Sequence, residues 1–432
     1  MDVILIDDIR GYMTGFRILL SAYSCGPGQG SEPGVGWNWA LALSRRGHEV
    51  FVVTRERNRA KIESVLHNCP EAVRLNFIYH DIDWPKNYAA SGPLANLAYS
   101  RWQASVMQLL YVTHAHTPFE IAHHLTFGSW RQPSRIWRLG IPYVFGPVGG
   151  GEEAPSALTR HFGLKPRFAE IARAAWNRAA LTSMELRRSV QFAASVPVKT
   201  SETADFIHRL GGSPQIASEL GIDPARVVSH VRGRDAGGLR CIFVGRLIDW
   251  KGARLAIDAV ARARQSSDIT LSIVGDGKLA PDLRAQVMRM GLDSAITFHG
   301  AVPQADLFEL YRQHDVFLFP SLHDSSGNVV LEAFASGLPV VCLALGGPGE
   351  LVSPSNGIAV LARNLDWGSA IEGLSGALRS LAADEDRRQA LAAGAIKTAL
   401  DMSWDAAVAR VYEPLELALA GSSRRQTAYA AP

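Results

Sequence analysis

Residues able to do chemistry concentrate between His323 and Glu332, in the run His-Asp-Ser-Ser-Gly-Asn-Val-Val-Leu-Glu. A polar loop of small residues lets backbone N–H groups turn toward an anion. The helix expected after it adds the partial positive charge of its N-terminus. Asp324 and Glu332 flank this loop with seven residues between them. Carboxylates do not grip phosphate, but they suit hydroxyl-rich groups on either side of it, as in a nucleotide sugar. Each acid also has a plainer reading: Glu332 as a helix acid favoured by the macrodipole, Asp324 as an ordinary loop residue.

A second group lies in Phe243-Val-Gly-Arg-Leu-Ile-Asp-Trp-Lys-Gly252, where an apolar strand ends and Arg246 and Lys251 precede a helix. In doubly wound sheets the ligand sits at the carboxyl ends of the strands. Two cations there would neutralise a diphosphate as charge grows on a departing nucleotide; surface cations of no special role are the competing reading. Ile273-Val-Gly-Asp-Gly277 is a tight turn without dinucleotide-site spacing. His299 to Pro303 follows another strand, with Val302 beside the place a flat base would take.

The first half offers Gly26 to Gly36, a glycine-rich loop before a helix, in which Gly30, Glu32 and Gly34 would face a cleft. Gly146-Pro-Val-Gly-Gly-Gly-Glu-Glu153 is a comparable loop. His123 and His124 stand where a catalytic or acceptor-binding histidine would sit. They have no third ligand at metal-site spacing, and Asp81-Ile-Asp83 is too short a pattern to define a metal clamp, so no metal site is expected.

These groups need a scaffold of strands that end at one edge. Apolar strands at Arg17–Ser21, Glu49–Thr54, Leu75–Tyr79, Ile121–His124, Tyr143–Phe145 and Val196–Lys199 alternate with helical segments. A second series runs through Cys241–Val244, Leu271–Val274, Ile296–Phe298, Val316–Phe319 and Pro339–Leu343. The pattern predicts an α/β protein with two Rossmann-like doubly wound domains facing a cleft. The expected order is an extension at residues 1–15, a first, acceptor-side domain at 16–225 and a second, donor-side domain at 226–402. A helix at 403–420 would then cross back to the first domain, before a disordered tail at 421–432.

The 432 residues fit two domains, and a net charge of +3 is too small for a dominant basic field, so nucleic acid is not an expected partner. Four scattered cysteines read as reduced thiols of a cytoplasmic protein, and no apolar run is long enough to span a bilayer. Between Arg160 and Arg188, basic residues outnumber acids and interleave with Phe162, Phe168, Ile171, Trp176 and Leu181. Two readings stand: a basic amphipathic surface making peripheral contact with the inner membrane, or helices with a solvated basic face.

Gly245-Arg246, Lys251-Gly252, Gly275-Asp-Gly277, His299-Gly, Pro320-Ser321, Glu332-Ala, Gly337-x-Pro-Val-Val341 and Gly346-Gly-x-x-Glu350 occur in order. Together they resemble the nucleotide-sugar half of the retaining GT-B glycosyltransferases of family four. Gly30-Ser-Glu-Pro-Gly-Val-Gly-Trp-Asn-Trp39 and Phe145-Gly-Pro-Val-Gly-Gly-Gly151 resemble a bacterial polysaccharide branch of that family. The resemblance implies that Arg246 and Lys251 bind the donor diphosphate and Glu332 the ribose, with Asp324 near the transferred sugar. It also implies that the backbone around Gly327, Asn328 and Val329 reaches sugar and phosphate. The family usually has Glu then Gly-Phe-Gly where this chain has Asp324-Ser-Ser-Gly327, and a His where it has Gly146. The implied activity is transfer of a hexose from a nucleotide diphosphate sugar to a glycan or lipid-linked acceptor, without cofactor. The alternatives are a GT-B-fold nucleotide-sugar epimerase and a degenerate, non-catalytic binding protein.

Overall fold

A computed structural model describes residues 15–83, 93–231, 233 and 237–429. The expected extension at 1–15 therefore lies almost wholly outside the described residues. The first sheet is wholly parallel, with strand order β3-β2-β1-β4-β5, from β1 (Arg17–Ala22), β2 (Glu49–Thr54), β3 (Leu75–Tyr79), β4 (Ile121–Thr126) and β5 (Tyr143–Phe145). A short parallel pair, β6 (Val196–Val198) and β7 (Pro214–Ile216), continues it through bridges from Val144 to Ser195 and from Val148 to Val198.

The second sheet, also parallel, has the order β10-β9-β8-β11-β12-β13. Its strands are β8 (Leu239–Val244), β9 (Ile269–Val274), β10 (Ile296–Gly300), β11 (Val316–Phe319), β12 (Val340–Leu343) and β13 (Gly357–Val360). Parallel strands buried on both faces read as unbroken apolar runs, which is why the sequence located most of them. It overlooked β7 and β13, two short edge strands. Cys241 and Cys342, in β8 and β12, are buried and unpaired.

Alternation along β1 divides the first domain's core in two. Ile18, Leu20 and Ala22 enter one apolar cluster, Leu19 the other. The helix Pro93–His116 covers the Leu19 face with Tyr99, Trp102, Val106 and Leu110. The opposite face is closed by the helix Ser31–Arg45 and by the last helix, Trp404–Tyr429, through Val408, Val411, Tyr412 and Leu415. Each such side chain contributes about 1.5–3 kcal/mol on burial.

The last helix runs past Leu419 to Tyr429, so part of the tail expected to be disordered is helical. Ser-Ser-Arg-Arg-Gln-Thr contains no helix-breaking residue after Gly421, and propensity alone permits the extension. Where the chain crosses between domains the two passages touch: Ile222 N–H donates to the Met402 carbonyl at 2.9 Å.

Polar contacts fix the last helix in register. Glu416 accepts from Arg46 at 2.7 Å and lies 3.0 Å from His48 Nε2. Burial opposes ionisation of Glu416, but hydrogen bonds and charge from Arg46 and His48 prevail and bring its pKa down to about 2. A depressed folded pKa gives stability that is present above the unfolded value and lost as pH falls through the folded one. Glu416→Gln is therefore expected to cost about 1–2 kcal/mol at neutral pH, after discounting for solvent screening. In urea titrations the difference from wild type should hold down to the ordinary glutamate value of 4.5 and shrink between there and about 2. A difference independent of pH would show that the carboxylate's charge does not hold the helix.

Candidate active site between the two domains

The loop following β11 carries Asp324, Ser325 and Ser326, and Gly327 caps the helix Asn328–Ala335 in the left-handed conformation (φ 78°). Asp324 Oδ1 accepts from Ser326 N–H and Gly327 N–H, both at 3.2 Å, and its other oxygen pairs with Lys251. Burial would raise this carboxyl, but Lys251 and the two backbone donors hold it below the usual range. Asp324 thus shapes its own loop and tethers Lys251. Asn328 and Val329, as the first helical residues, have no carbonyl within the helix to receive their N–H groups.

Arg246 follows β8 and is exposed, whereas the Lys251 side chain is largely buried. Both stand at the carboxyl edge of the second sheet. Glu332 is one turn deeper in the Asn328 helix, and burial raises its pKa despite hydrogen bonds from Gln304 and Tyr311. Gln304 Nε2 donates to it at 3.1 Å. Val302 packs half-buried against the second domain's core.

A cavity of about 250 Å³ lies between the domains and joins Gly30 and Gly34 of the first to Asn328 and Glu332 of the second, with Arg226 in its wall. Another, of about 240 Å³, opens beside Asp315 and Arg388, near the amino end of β11 and away from these groups. Glu32 accepts from Gly128 N–H at 2.9 Å, which ties the first glycine-rich loop to the loop after β4.

The two histidines and Gly146 require correction. His123 is fully buried, with Nε2 2.6 Å from the Gly146 carbonyl and Nδ1 2.8 Å from the Tyr412 hydroxyl. Nε2–H therefore donates and Nδ1 accepts, so the ring joins the last helix to the sheet. His124, equally buried on the other face of β4, contacts the Tyr99 hydroxyl and the Phe127 carbonyl, each at 3.3 Å. Burial lowers their pKa values to about 3 and about 4. Both rings are neutral packing groups, because consecutive strand residues in a sheet covered on both faces point into its two cores. A Cβ on Gly146 would lie 2.2 Å from the Pro197 carbonyl, so this glycine serves packing within the first domain.

The sequence reading missed a buried polar network that crosses the cleft. Glu152 accepts from Thr200 Oγ1 (2.7 Å), Thr203 Oγ1 (3.0 Å) and Gly150 N–H (3.0 Å), all in its own domain. It also accepts from Ser325 Oγ of the second domain at 2.6 Å. Burial works against ionisation of Glu152, but these hydrogen bonds and Arg173 keep its carboxyl below the usual range. Beside it, Glu219 accepts from Lys199 Nζ and from Ser326 Oγ, each at 2.6 Å. Glu152 and Lys199 were visible at the ends of a glycine loop and a strand, but only their non-local partners give them this role.

Gly149 lets the two loops meet: a Cβ there would lie 2.9 Å from Ser325 Cβ and 2.7 Å from Lys199 Cδ. Gly149→Ala should force the loops apart and accelerate amide exchange at Ser326 and Gly327. Unchanged exchange would mean that this contact does not close the cleft.

Among the described residues, no group of three or more His, Cys, Asp or Glu is arranged to hold a metal ion. Likewise, no helix there is long and apolar enough to cross a membrane.

Residues 238–382 match the family described as glycosyl transferases group 1. The chain is 31% identical over 208 residues to a 2-deoxystreptamine glucosyltransferase of Streptomyces kanamyceticus, covering 43% of this chain and 53% of that one. It is 28% identical over 281 residues to a D-inositol 3-phosphate glycosyltransferase of Segniliparus rotundus, covering 63% and 58%. The matched region thus spans only a little over half the length of these relatives. Among solved structures, sucrose-phosphate synthase of Thermosynechococcus elongatus superposes with a TM-score of 0.62 at 18% identity, over 96% of this chain and 100% of the other. HepE of Anabaena, solved in complex with UDP, gives 0.59 at 18%, over 93% and 99%. At that identity the likeness concerns the fold, two Rossmann-like domains in the GT-B arrangement.

Proposed function

From the GT-B fold and the match of residues 238–382 to glycosyl transferases group 1, we propose that this protein is a retaining glycosyltransferase, moving a hexose from a nucleotide diphosphate sugar to a glycan acceptor. The observation that carries the reading is that the first residue and the half-buried carboxylate of one helix, Asn328 and Glu332, line the cavity between the domains. The loop that leads into that helix holds Lys251 through Asp324, and Arg246 follows the neighbouring strand β8 at the same edge of the sheet. The UDP in the HepE complex and the sugar transfer named for the two relatives support it. We place the acceptor among lipid-linked glycans of bacterial surface or exopolysaccharide synthesis, on the resemblance of the two first-domain loops to that branch.

In this mechanism the bond between the anomeric carbon and the diphosphate oxygen breaks as an acceptor hydroxyl attacks from the same face. The hydroxyl proton passes to the departing diphosphate oxygen. Charge therefore grows on the diphosphate, where Arg246, Lys251 and the helix dipole lower its energy more in the transition state than in the ground state. That positive charge serves in place of a metal ion. Asp324 keeps Lys251 at the loop and fixes the amides of Ser326 and Gly327. Glu332 receives the ribose hydroxyls. Closure across Glu152 and Ser325 excludes water that would hydrolyse the donor.

Arg246→Ala should lower donor turnover about a hundredfold with little change in stability, since the side chain is exposed. Undiminished turnover would remove the diphosphate role. Product analysis without acceptor separates a transferase, which at most slowly hydrolyses the donor, from an epimerase, which converts it. No calorimetric binding of any nucleoside diphosphate would favour the non-catalytic alternative.

Glu332 has a raised pKa, so its carboxylate is lost at a higher pH than the ordinary 4.5. Donor affinity should therefore fall as pH drops into the mildly acidic range. Glu332→Gln should bind the donor about tenfold more weakly at neutral pH and show no such titration. Parallel pH profiles for the two proteins would exclude Glu332 from the donor site.

A further inference from the structure

The helix Leu164–Ala180 is amphipathic in the opposite sense from an ordinary surface helix. Leu164, Phe168 and Ile171 are 75%, 67% and 58% exposed. With Ala175, also exposed, they follow at steps of four, three and four residues, so they form one stripe facing outward. The inward face is polar. Glu170 Oε2 lies 3.2 Å from His323 Nδ1, Arg173 donates to the carbonyls of Glu152 and Gly150 at 3.1 and 3.2 Å, and buried Asn177 donates to Glu153 at 3.0 Å. A helix that spends its polar face on the protein and turns its apolar face to water marks a contact with something apolar.

We infer that this helix docks the protein on the surface of an anionic lipid bilayer. The charge pattern selects that occupant. Helical spacing puts exposed Lys165 on one flank of the stripe and exposed Arg167 on the other, where Arg178 is paired with Glu153 at 3.7 Å. The helix's acid, Glu170, points inward to His323 and adds no negative charge to the outer face. Apolar side chains entering the acyl boundary between basic flanks that reach headgroup phosphates are the makings of an interfacial helix. Because its inner face braces both His323, next to Asp324, and the Gly150–Glu153 loop, docking would set the mouth of the cleft at the bilayer. An acceptor anchored in lipid could reach it there; this use of the contact rests on the transferase reading proposed above.

The test is co-sedimentation of the full chain with vesicles of phosphatidylethanolamine and about 30 mol% phosphatidylglycerol, against pure phosphatidylcholine vesicles. Wild type should bind the anionic vesicles, at least about tenfold more weakly in high salt, and leave the neutral ones in the supernatant. The double variant Phe168→Ser/Ile171→Ser should lose about tenfold or more in vesicle affinity while keeping wild-type nucleoside diphosphate binding by calorimetry. Exposed positions make a folding defect unexpected, and circular dichroism checks it. Lys165→Gln/Arg167→Gln, whose side chains are also exposed, should weaken binding in low salt. Equal binding of wild type and the apolar variant, or none by either, would overturn the inference. So would sedimentation velocity showing a dimer that the apolar variant dissolves, since the stripe would then be covered by a second copy. Vesicle binding and donor turnover are read separately, so docking and the transferase reading can fail independently.

Discussion

A buried carboxylate must be satisfied by partners, and Glu152 meets that requirement with donors from both domains. Without Ser325 and its own-domain hydroxyls, an ionised group so fully removed from water would cost several kcal/mol. The same condition governs Glu219, which draws on Lys199 and Ser326. These bonds fix how closely the domains approach and in what register. Gly149 matters for the same reason, since its missing side chain makes the approach geometrically feasible. The cavity bounded by Gly30, Gly34, Asn328 and Glu332 takes its shape from that closure.

Closure needs rigid bodies to close. In the second domain one parallel sheet directs the ends of β8 and β11 to the same edge, so Lys251 and Asp324 meet although 73 positions separate them. The first domain becomes a rigid body only when the last helix covers its open face. Tyr412 and Glu416 then tie that helix to His123, Arg46 and His48. The chain's last segment thereby stabilises the domain that holds the first glycine loop. The two passages of the chain between the domains lie side by side, joined by the hydrogen bond from Ile222 to Met402.

Some readings were legible because they depend on local chemistry. The strands were visible as apolar runs, since a parallel sheet buries both faces. The positions of the Asp324–Glu332 loop and of Arg246 and Lys251 were legible because each follows an apolar strand of the second sheet and so stands at its carboxyl edge. The histidines were misread for a complementary reason. Polarity in the sequence suggests a site, but a neutral imidazole with both nitrogens bonded is equally at home in a core. His123 found Tyr412 from a helix 289 residues away. Ser325 and Ser326 were read only as small residues beside an anion; their hydroxyls in fact answer carboxylates across the cleft.

The sequence by itself determined the two-domain α/β architecture and the order of the strands along the chain. It also determined that a small-residue loop and two cations follow strands of the second sheet. Those depend on the side-chain period, on glycine's conformational range and on charge, all properties of short segments. Tertiary structure alone decided that Asp324 turns back to Lys251, that the histidine pair is packing, and that Glu152 and Glu219 register the closure. It alone showed that the Leu164 helix turns its apolar face outward. Each of these depends on which distant group occupies the space opposite a side chain, and no local pattern specifies that.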